Sequence, residues 1–206
     1  DSIIFDCDGV LVDIRNSYDY AINKTISAIM NELFDDNISN IVNSKILYGL
    51  KAAGGFNDEV AVVYAVIMTL VASKKSNLKF EKLIIDVIDN ANESGINSID
   101  NYFINQNIDL KEIKLKLDYE NSRNISYIHR IFNQLFYGPV LYEEIFNEKS
   151  QFSEKPLIDL DDIVLDETLM SKLKTRFGNK ISTVTGRGNF AFSYSMKNFL
   201  NNFDIK

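Results

Sequence analysis

The chain has 206 residues, of which 46% are hydrophobic and 25% are charged, and its formal net charge is −7. This is enough apolar material for a core, and the length suits one domain with an insertion or two small domains. The acidic balance argues against a nucleic-acid partner, because such a partner would need a clustered basic face.

The first predicted element is a strand at residues 2–5, a short apolar run that is rich in β-formers. Beyond Asp13 the apolar residues follow a helical period. Predicted helices include one at about 38–50 and one at 125–137, the second stopped by a Gly-Pro pair. The longest apolar run, residues 60–72, is too short to span a bilayer and predicts a helix buried on most sides, so no membrane partner is expected.

Strand signal returns only at residues 180–185. A helix at 167–177, closed by Gly178, precedes this strand, and another helix at 189–202 follows it. The order strand, long helical block, helix, strand, helix predicts an α/β fold in which a parallel sheet is interrupted by a helical insertion.

This order divides the chain into two units. Residues 1–15 and 157–206 are expected to form the α/β core, and residues 16–156 the inserted all-helical domain. Two strands are not a stable parallel core, so we expect the sheet to be incomplete and the chain to be the N-terminal part of a longer protein. One cysteine and no basic-then-apolar N-terminal stretch favour a cytoplasmic location.

Asp6 and Asp8 stand at the carboxyl end of the first predicted strand, where open α/β sheets bind ligands. Two carboxylates crowded there repel each other, and a hard cation such as Mg²⁺ would relieve this repulsion through oxygen ligands. A carboxylate beside a metal can also approach an anionic phosphoryl group. An Asp-x-Asp pair by itself is common, however, and also occurs as a metal motif in sugar transferases.

The run from Phe5 to Asp13, Phe-Asp-Cys-Asp-Gly-Val-Leu-Val-Asp, resembles the first signature of the haloacid dehalogenase superfamily. The resemblance implies a Rossmann-like core with a helical cap and a Mg²⁺ ion at Asp6 and Asp8. It implies that Asp6 is the nucleophile that forms an aspartyl-phosphate. Asp8 would protonate the leaving group and later activate water. Aspartate two places after the nucleophile is the pattern of the superfamily's phosphatases and phosphomutases.

Residues 181–188 resemble the second signature of the superfamily, an apolar strand that ends in Ser or Thr. The resemblance implies that the hydroxyl of Thr185 and the backbone N–H of Gly186 hold the phosphate. The helix that follows adds the positive end of its dipole. A threonine that closes a strand is ordinary, so this match gains its weight from its place after the first signature.

Residues 50–58 join two predicted helices of the insertion and resemble the glycine-bearing cap loop of a largely uncharacterised phosphatase branch of the superfamily. Residues 135–138 resemble another stretch of that branch. Lys51 and Asn57 are therefore candidates for binding a polar substrate. The alternative is an ordinary helix–helix turn, with glycine as the C-cap and Asn57 or Asp58 as the N-cap.

Two further groups that the superfamily leads us to expect are not found: a lysine that neutralises the phosphoryl charge and a late acidic pair that completes the metal shell. Lys197 falls on the last predicted helix and Lys206 is terminal, so neither is a convincing substitute. Cys7 is expected to be a small buried hydrophobe. The single histidine, His129, falls on an apolar helical stripe and is expected to be packed and locally hydrogen-bonded.

The leading interpretation is a Mg²⁺-dependent phosphatase that acts on a small phosphorylated metabolite. A phosphomutase, which returns the phosphoryl group to its substrate, uses the same aspartate and is an alternative. A non-catalytic fragment or assembly module, completed by a partner chain or by a homo-oligomer, is another.

Overall fold

The computed structural model describes residues 1–120 and 126–202. Two sequence predictions lie outside the described residues: Ile125 as part of a helix, and the tail at 203–206 that holds Lys206. The described chain is mostly helical, with one small parallel sheet.

The elements follow one another in the order β1 (Ile3–Asp6), β2 (Val12–Asp13), α1 (Arg15–Phe34), α2 (Ser44–Ala52), α3 (Glu59–Ser76), α4 (Phe80–Asn90), α5 (Ile96–Asn105), α6 (Lys111–Leu117), α7 (Tyr127–Phe146), β3 (Asp162–Ile163), α8 (Glu167–Phe177), β4 (Ile181–Val184) and α9 (Asn189–Ser195). Short 3-10 turns lie at Leu157–Leu160 and Leu200–Asn202.

Strands β1 and β4 form the parallel pair that the sequence predicts. Ile3 lies opposite Ile181 and Asp6 lies opposite Val184, so the two strands end in register. The hydroxyl of Thr183 adds a hydrogen bond of 3.1 Å to the carbonyl of Phe5. Because the strands are parallel, the loops that follow Asp6 and Val184 emerge at the same edge of the sheet.

A second, antiparallel pair, β2 with β3, was not predicted from the sequence. Val12 lies opposite Ile163 and Asp13 opposite Asp162. Each strand has only two residues, which is too short for the alternating pattern that identifies a strand. Strand β2 directly precedes the helical segment and β3 follows it, so this pair holds the two ends of the helical segment next to each other.

The helical segment between β2 and β3 is built around α3. Every residue of α3 from Val60 to Ser73 is buried, which confirms the prediction of a helix enclosed on most sides. Helices α1, α4, α5, α6 and α7 all pack against it. Within the described ranges, none of the helices combines the length and the apolar character needed to cross a membrane.

Three helix boundaries differ from the sequence predictions. The helix expected at 38–50 begins only at Ser44, and α9 ends at Ser195 rather than near 202. Helix α7 breaks at Gly138, as predicted, but then resumes to Phe146. Gly138 takes a positive φ of 67°, and Pro139 stands in the first turn of the resumed helix, where its missing N–H costs no hydrogen bond.

Candidate active site

A cavity of about 850 Å³ opens where the end of the parallel sheet meets the helical segment. Asp6, which ends β1, and Asp8, which follows that strand, line its sheet side. Thr185 and Gly186, which follow β4, line the same side. The loop before α3 and the middle of α7 line the helical side. The fold therefore brings the residues of two distant sequence signatures to one cavity, because the two parallel strands end together.

The two aspartates at the end of β1 have different surroundings. Asp6 is exposed, and its Oδ1 accepts a hydrogen bond of 2.7 Å from the backbone N–H of Cys7. Gly9, with a φ of 78°, allows the sharp turn that follows Asp8. The Asp8 side chain is half-buried, and its Oδ1 accepts a hydrogen bond of 2.9 Å from Nη1 of Arg187.

Cys7, between the two aspartates, is fully buried in the small core of the α/β part, as predicted. Burial, together with the charge of Asp8, raises the pKa of its thiol to about 12. The thiolate is the reactive form of cysteine, so a thiol with this pKa is a poor nucleophile at neutral pH.

The turn after β4 is held by a local hydrogen bond and leaves a hydroxyl group at the cavity. Oγ1 of Thr185 accepts a hydrogen bond of 3.0 Å from the backbone N–H of Arg187. The hydroxyl hydrogen of Thr185 can still be donated to a ligand, because that bond uses only an oxygen lone pair. Thr185 and Gly186 both line the cavity, and α9 begins immediately after the turn, at Asn189.

The two cap residues predicted to bind substrate are placed differently. Asn57 lines the cavity. Lys51 is not among the lining residues, and its ammonium forms an ion pair of 3.0 Å with the carboxylate of Glu59, which does line it. Burial raises the pKa of Glu59, and the charge of Lys51 opposes that rise. A substrate-binding role for Asn57 and Lys51 stays a prediction.

Asp58 and His129 also lie on the helical side of the cavity. Asp58 is the N-cap of α3, with its Oδ1 accepting a hydrogen bond of 2.9 Å from Val60. His129 is buried, as predicted, with Nδ1 3.0 Å from the hydroxyl of Ser126 and Nε2 4.0 Å from the carboxylate of Asp58. His129 is thus a packed residue that also faces the cavity.

The sequence analysis did not single out Arg187 or Asp161. Arg187 stands in the second signature, but its side chain was given no function. The structure joins its guanidinium to Asp8 and to Asp161, and its Nε has no hydrogen-bond partner within the described residues. The aspartates Asp159, Asp161 and Asp162, which precede the helix predicted at 167–177, could have suggested a partner for this cation, although not which of the three.

Asp6 and Asp8 offer the oxygen donors that Mg²⁺ prefers, but only part of an octahedral shell. Among the described residues, no group of three or more His, Cys, Asp or Glu side chains is arranged to hold a metal ion. The backbone bonds of the loop use the carbonyls of Cys7 and Val12. A Mg²⁺ site at Asp6 and Asp8 therefore stays a prediction.

Lysines of the described chain do not line this cavity. Lys197, considered above as a substitute for the missing lysine, lies over the ring of Tyr194 at 5.5 Å. Arg187 does bring a positive charge to this place, because its side chain bonds directly to Asp8.

No protein-family model and no curated protein matches the chain. Two solved structures share its fold. Phosphatase Tt82 from Thermococcus thioreducens is 21% identical with a TM-score of 0.62, over 94% of this chain and 66% of that protein. A target of the Northeast Structural Genomics Consortium is 17% identical with a TM-score of 0.70, over 99% of this chain and 69% of that protein. The chain therefore has the fold of part of a protein described as a phosphatase, and spans about two thirds of its length.

Proposed function

We propose that this chain carries the nucleophile of a Mg²⁺-dependent phosphatase of the haloacid dehalogenase superfamily that hydrolyses a small phosphorylated metabolite. The observation that carries the proposal is the meeting of Asp6 and Asp8 with Thr185 and Gly186 at one cavity. The fold shared with a phosphatase supports it further.

In the proposed reaction a carboxylate oxygen of Asp6 attacks phosphorus and forms an aspartyl-phosphate. Asp8 gives a proton to the leaving oxygen as the phosphorus–oxygen bond breaks. Asp8 then takes a proton from water, which attacks the aspartyl-phosphate and releases phosphate and the free Asp6 carboxylate. The Thr185 hydroxyl and the Gly186 N–H donate hydrogen bonds to the phosphoryl oxygens.

Asp6 and the backbone carbonyl of Asp8 would hold the Mg²⁺ ion, which would offset negative charge on the carboxylate and the phosphoryl group.

The size of the cavity favours a small substrate, because the cavity measures about 850 Å³ and is closed on one side by the helical segment. Its helical side offers polar groups such as Asn57, together with aromatic rings of α7 such as Phe136.

The test is the variant Asp6→Asn in the full-length natural protein, with an aryl phosphate as the substrate. The amide is nearly isosteric but is not a nucleophile, so kcat should fall by at least about a thousandfold, or about 4 kcal/mol of barrier. Asp162→Asn is the matched control, because Asp162 is an exposed aspartate on β3. The control should keep the wild-type rate.

Mass spectrometry of rapidly quenched protein gives a second measurement. The wild type should carry a phosphoryl group on Asp6, and Asp6→Asn should carry none. An Asp6→Asn variant with kcat within about tenfold of the wild type would rule out the covalent role of Asp6.

A further inference from the structure

The guanidinium of Arg187 lies between the carboxylates of Asp8 and Asp161 and bonds to both. Its Nη1 donates to Oδ1 of Asp8 at 2.9 Å. Its Nη2 donates to Oδ2 of Asp161 and to the hydroxyl of Ser195, the latter at 2.9 Å. One planar cation therefore connects the proposed acid and base, Asp8, to a second carboxylate outside the reaction.

Asp161 is a fixed anchor for this cation. Its side chain is 3% exposed. Besides Arg187, it accepts hydrogen bonds from Ser17 in the first turn of α1 and, at 2.6 Å, from Ser195 in α9. Groups from three parts of the chain thus hold one carboxylate, and Arg187 is held through it.

The guanidinium itself is out of reach of a substrate. The Arg187 side chain is 0% exposed, so the part of Arg187 that lines the cavity is its backbone. A phosphoryl group in the cavity would meet Asp6, Thr185 and Gly186, with the guanidinium behind Asp8. Because its guanidinium is buried, Arg187 can influence the reaction through Asp8 but cannot bind the phosphoryl group directly.

The bond from Arg187 reaches one oxygen of Asp8, Oδ1, and within the described residues the Asp8 carboxylate has no other hydrogen bond. The second oxygen, Oδ2, is therefore the one that can exchange a proton. Proton transfer needs that oxygen within hydrogen-bond reach of the leaving group, and fixing the carboxylate plane supplies this orientation. Asp161 also offsets the charge of the guanidinium, so Arg187 orients Asp8 with little net positive charge beside it.

We propose that Arg187, anchored by Asp161, is a positioning residue that holds the Asp8 carboxylate so that Oδ2 delivers and collects the proton. This inference rests on the proposed phosphatase function and deepens it. Stability alone is a weak reason for such a cluster, because a buried ion pair often contributes no more than apolar side chains of similar volume.

Two leaving groups separate a positioning role from a merely structural one. The 4-nitrophenolate group of 4-nitrophenyl phosphate departs without a proton, whereas the phenolate of phenyl phosphate depends on the acid. In the full-length natural protein, Arg187→Gln should lower kcat for phenyl phosphate roughly tenfold more than kcat for 4-nitrophenyl phosphate. The KM values should change little, since Arg187 does not touch the substrate.

Two further variants accompany this one. Asp161→Asn keeps the guanidinium but weakens its anchor, so it should show the same leaving-group dependence even if Arg187→Gln does not fold. Arg176→Gln, which changes an exposed arginine of α8, is the matched control and should leave both rates unchanged. Equal slowing of both substrates in Arg187→Gln and Asp161→Asn would overturn the inference while leaving the proposed function intact.

A structural measurement decides the inference without activity. In crystal structures of the wild type and of Arg187→Gln or Asp161→Asn, the Asp8 carboxylate should rotate away from its wild-type orientation in the variant. An unchanged Asp8 would overturn the inference. If the wild type hydrolyses neither aryl phosphate, the proposed function fails, and these crystal structures still decide whether Arg187 positions Asp8.

Discussion

The helical segment and the α/β part that frames it differ in what holds them together. The helical segment has a continuous apolar core around α3, in which Tyr64 and Ile67 are fully buried. The α/β part has a much smaller core, and Ile4 and Val184 on its two strands are 65% and 67% exposed. Helices satisfy their backbone hydrogen bonds internally, whereas strands need neighbours, so a two-stranded sheet leaves more surface uncovered.

The residues proposed to react and to bind phosphate lie in the α/β part, which is the less buried of these two regions. Asp6 ends β1, Asp8 follows that strand and Thr185 follows β4, so all three belong to the α/β part. The helical segment closes the cavity and supplies most of the apolar burial. Core substitutions in the helical segment should therefore affect stability, and substitutions at the cavity should affect activity first.

The largest effect on stability is expected from Ile67→Ala at the centre of α3. Ile67 is fully buried, so its truncation should lower the free energy of unfolding by about 2–5 kcal/mol. Leu115→Ala is the control, because Leu115 is 80% exposed on α6 and should change that free energy by less than about 0.5 kcal/mol. Urea unfolding followed by circular dichroism measures both variants. Similar losses in the two variants would mean that α3 is not the centre of the core.

A smaller effect on stability, with an effect on activity, is expected from Gly55→Ala. An added Cβ would lie 2.3 Å from the backbone nitrogen of Gly95, so the loop at the cavity must shift. We expect a loss of about 1–3 kcal/mol and a raised KM. Gly188→Ala controls for stability, since its Cβ would meet no atom within 4 Å. A Gly55→Ala melting temperature equal to that of Gly188→Ala would refute the close approach.

The smallest effect is expected at the β2–β3 junction between the two regions. Hydrogen bonds from Arg15 lower the pKa of Asp13 from 3.8 to about 2. A pKa lowered by folding stabilises the fold above the unfolded pKa, and this contribution is lost as the pH falls toward 2. The difference in unfolding free energy between wild type and Asp13→Asn should therefore shrink from pH 5 to pH 2. High salt should reduce it as well, because the pair is at the surface. A difference that grows on acidification would contradict the pairing.

The sequence predicted several elements for reasons that are local. The apolar run at 60–72 identified α3. Gly178 predicted the end of α8, and in the structure it takes the positive φ of 60° that glycine allows there. The β2–β3 pair escaped prediction because two residues carry no periodicity. The resumption of α7 after Gly138 also escaped, because the fit of Gly138 against Pro156, where a Cβ would lie 2.9 Å away, belongs to the tertiary structure.

The candidate site divides in the same way. By itself the sequence predicted that Asp6, Asp8, Thr185 and Gly186 share one site. The prediction came from their resemblance to two signatures, and parallel strands bring the residues at their carboxyl ends to one edge of the sheet. Only the tertiary structure decided that Lys51 pairs with Glu59 and that Arg187 joins Asp8 to Asp161. Which charged side chains pair depends on which of them the folded chain brings close together. When the partners are far apart in sequence, no periodic pattern in the sequence predicts the pair.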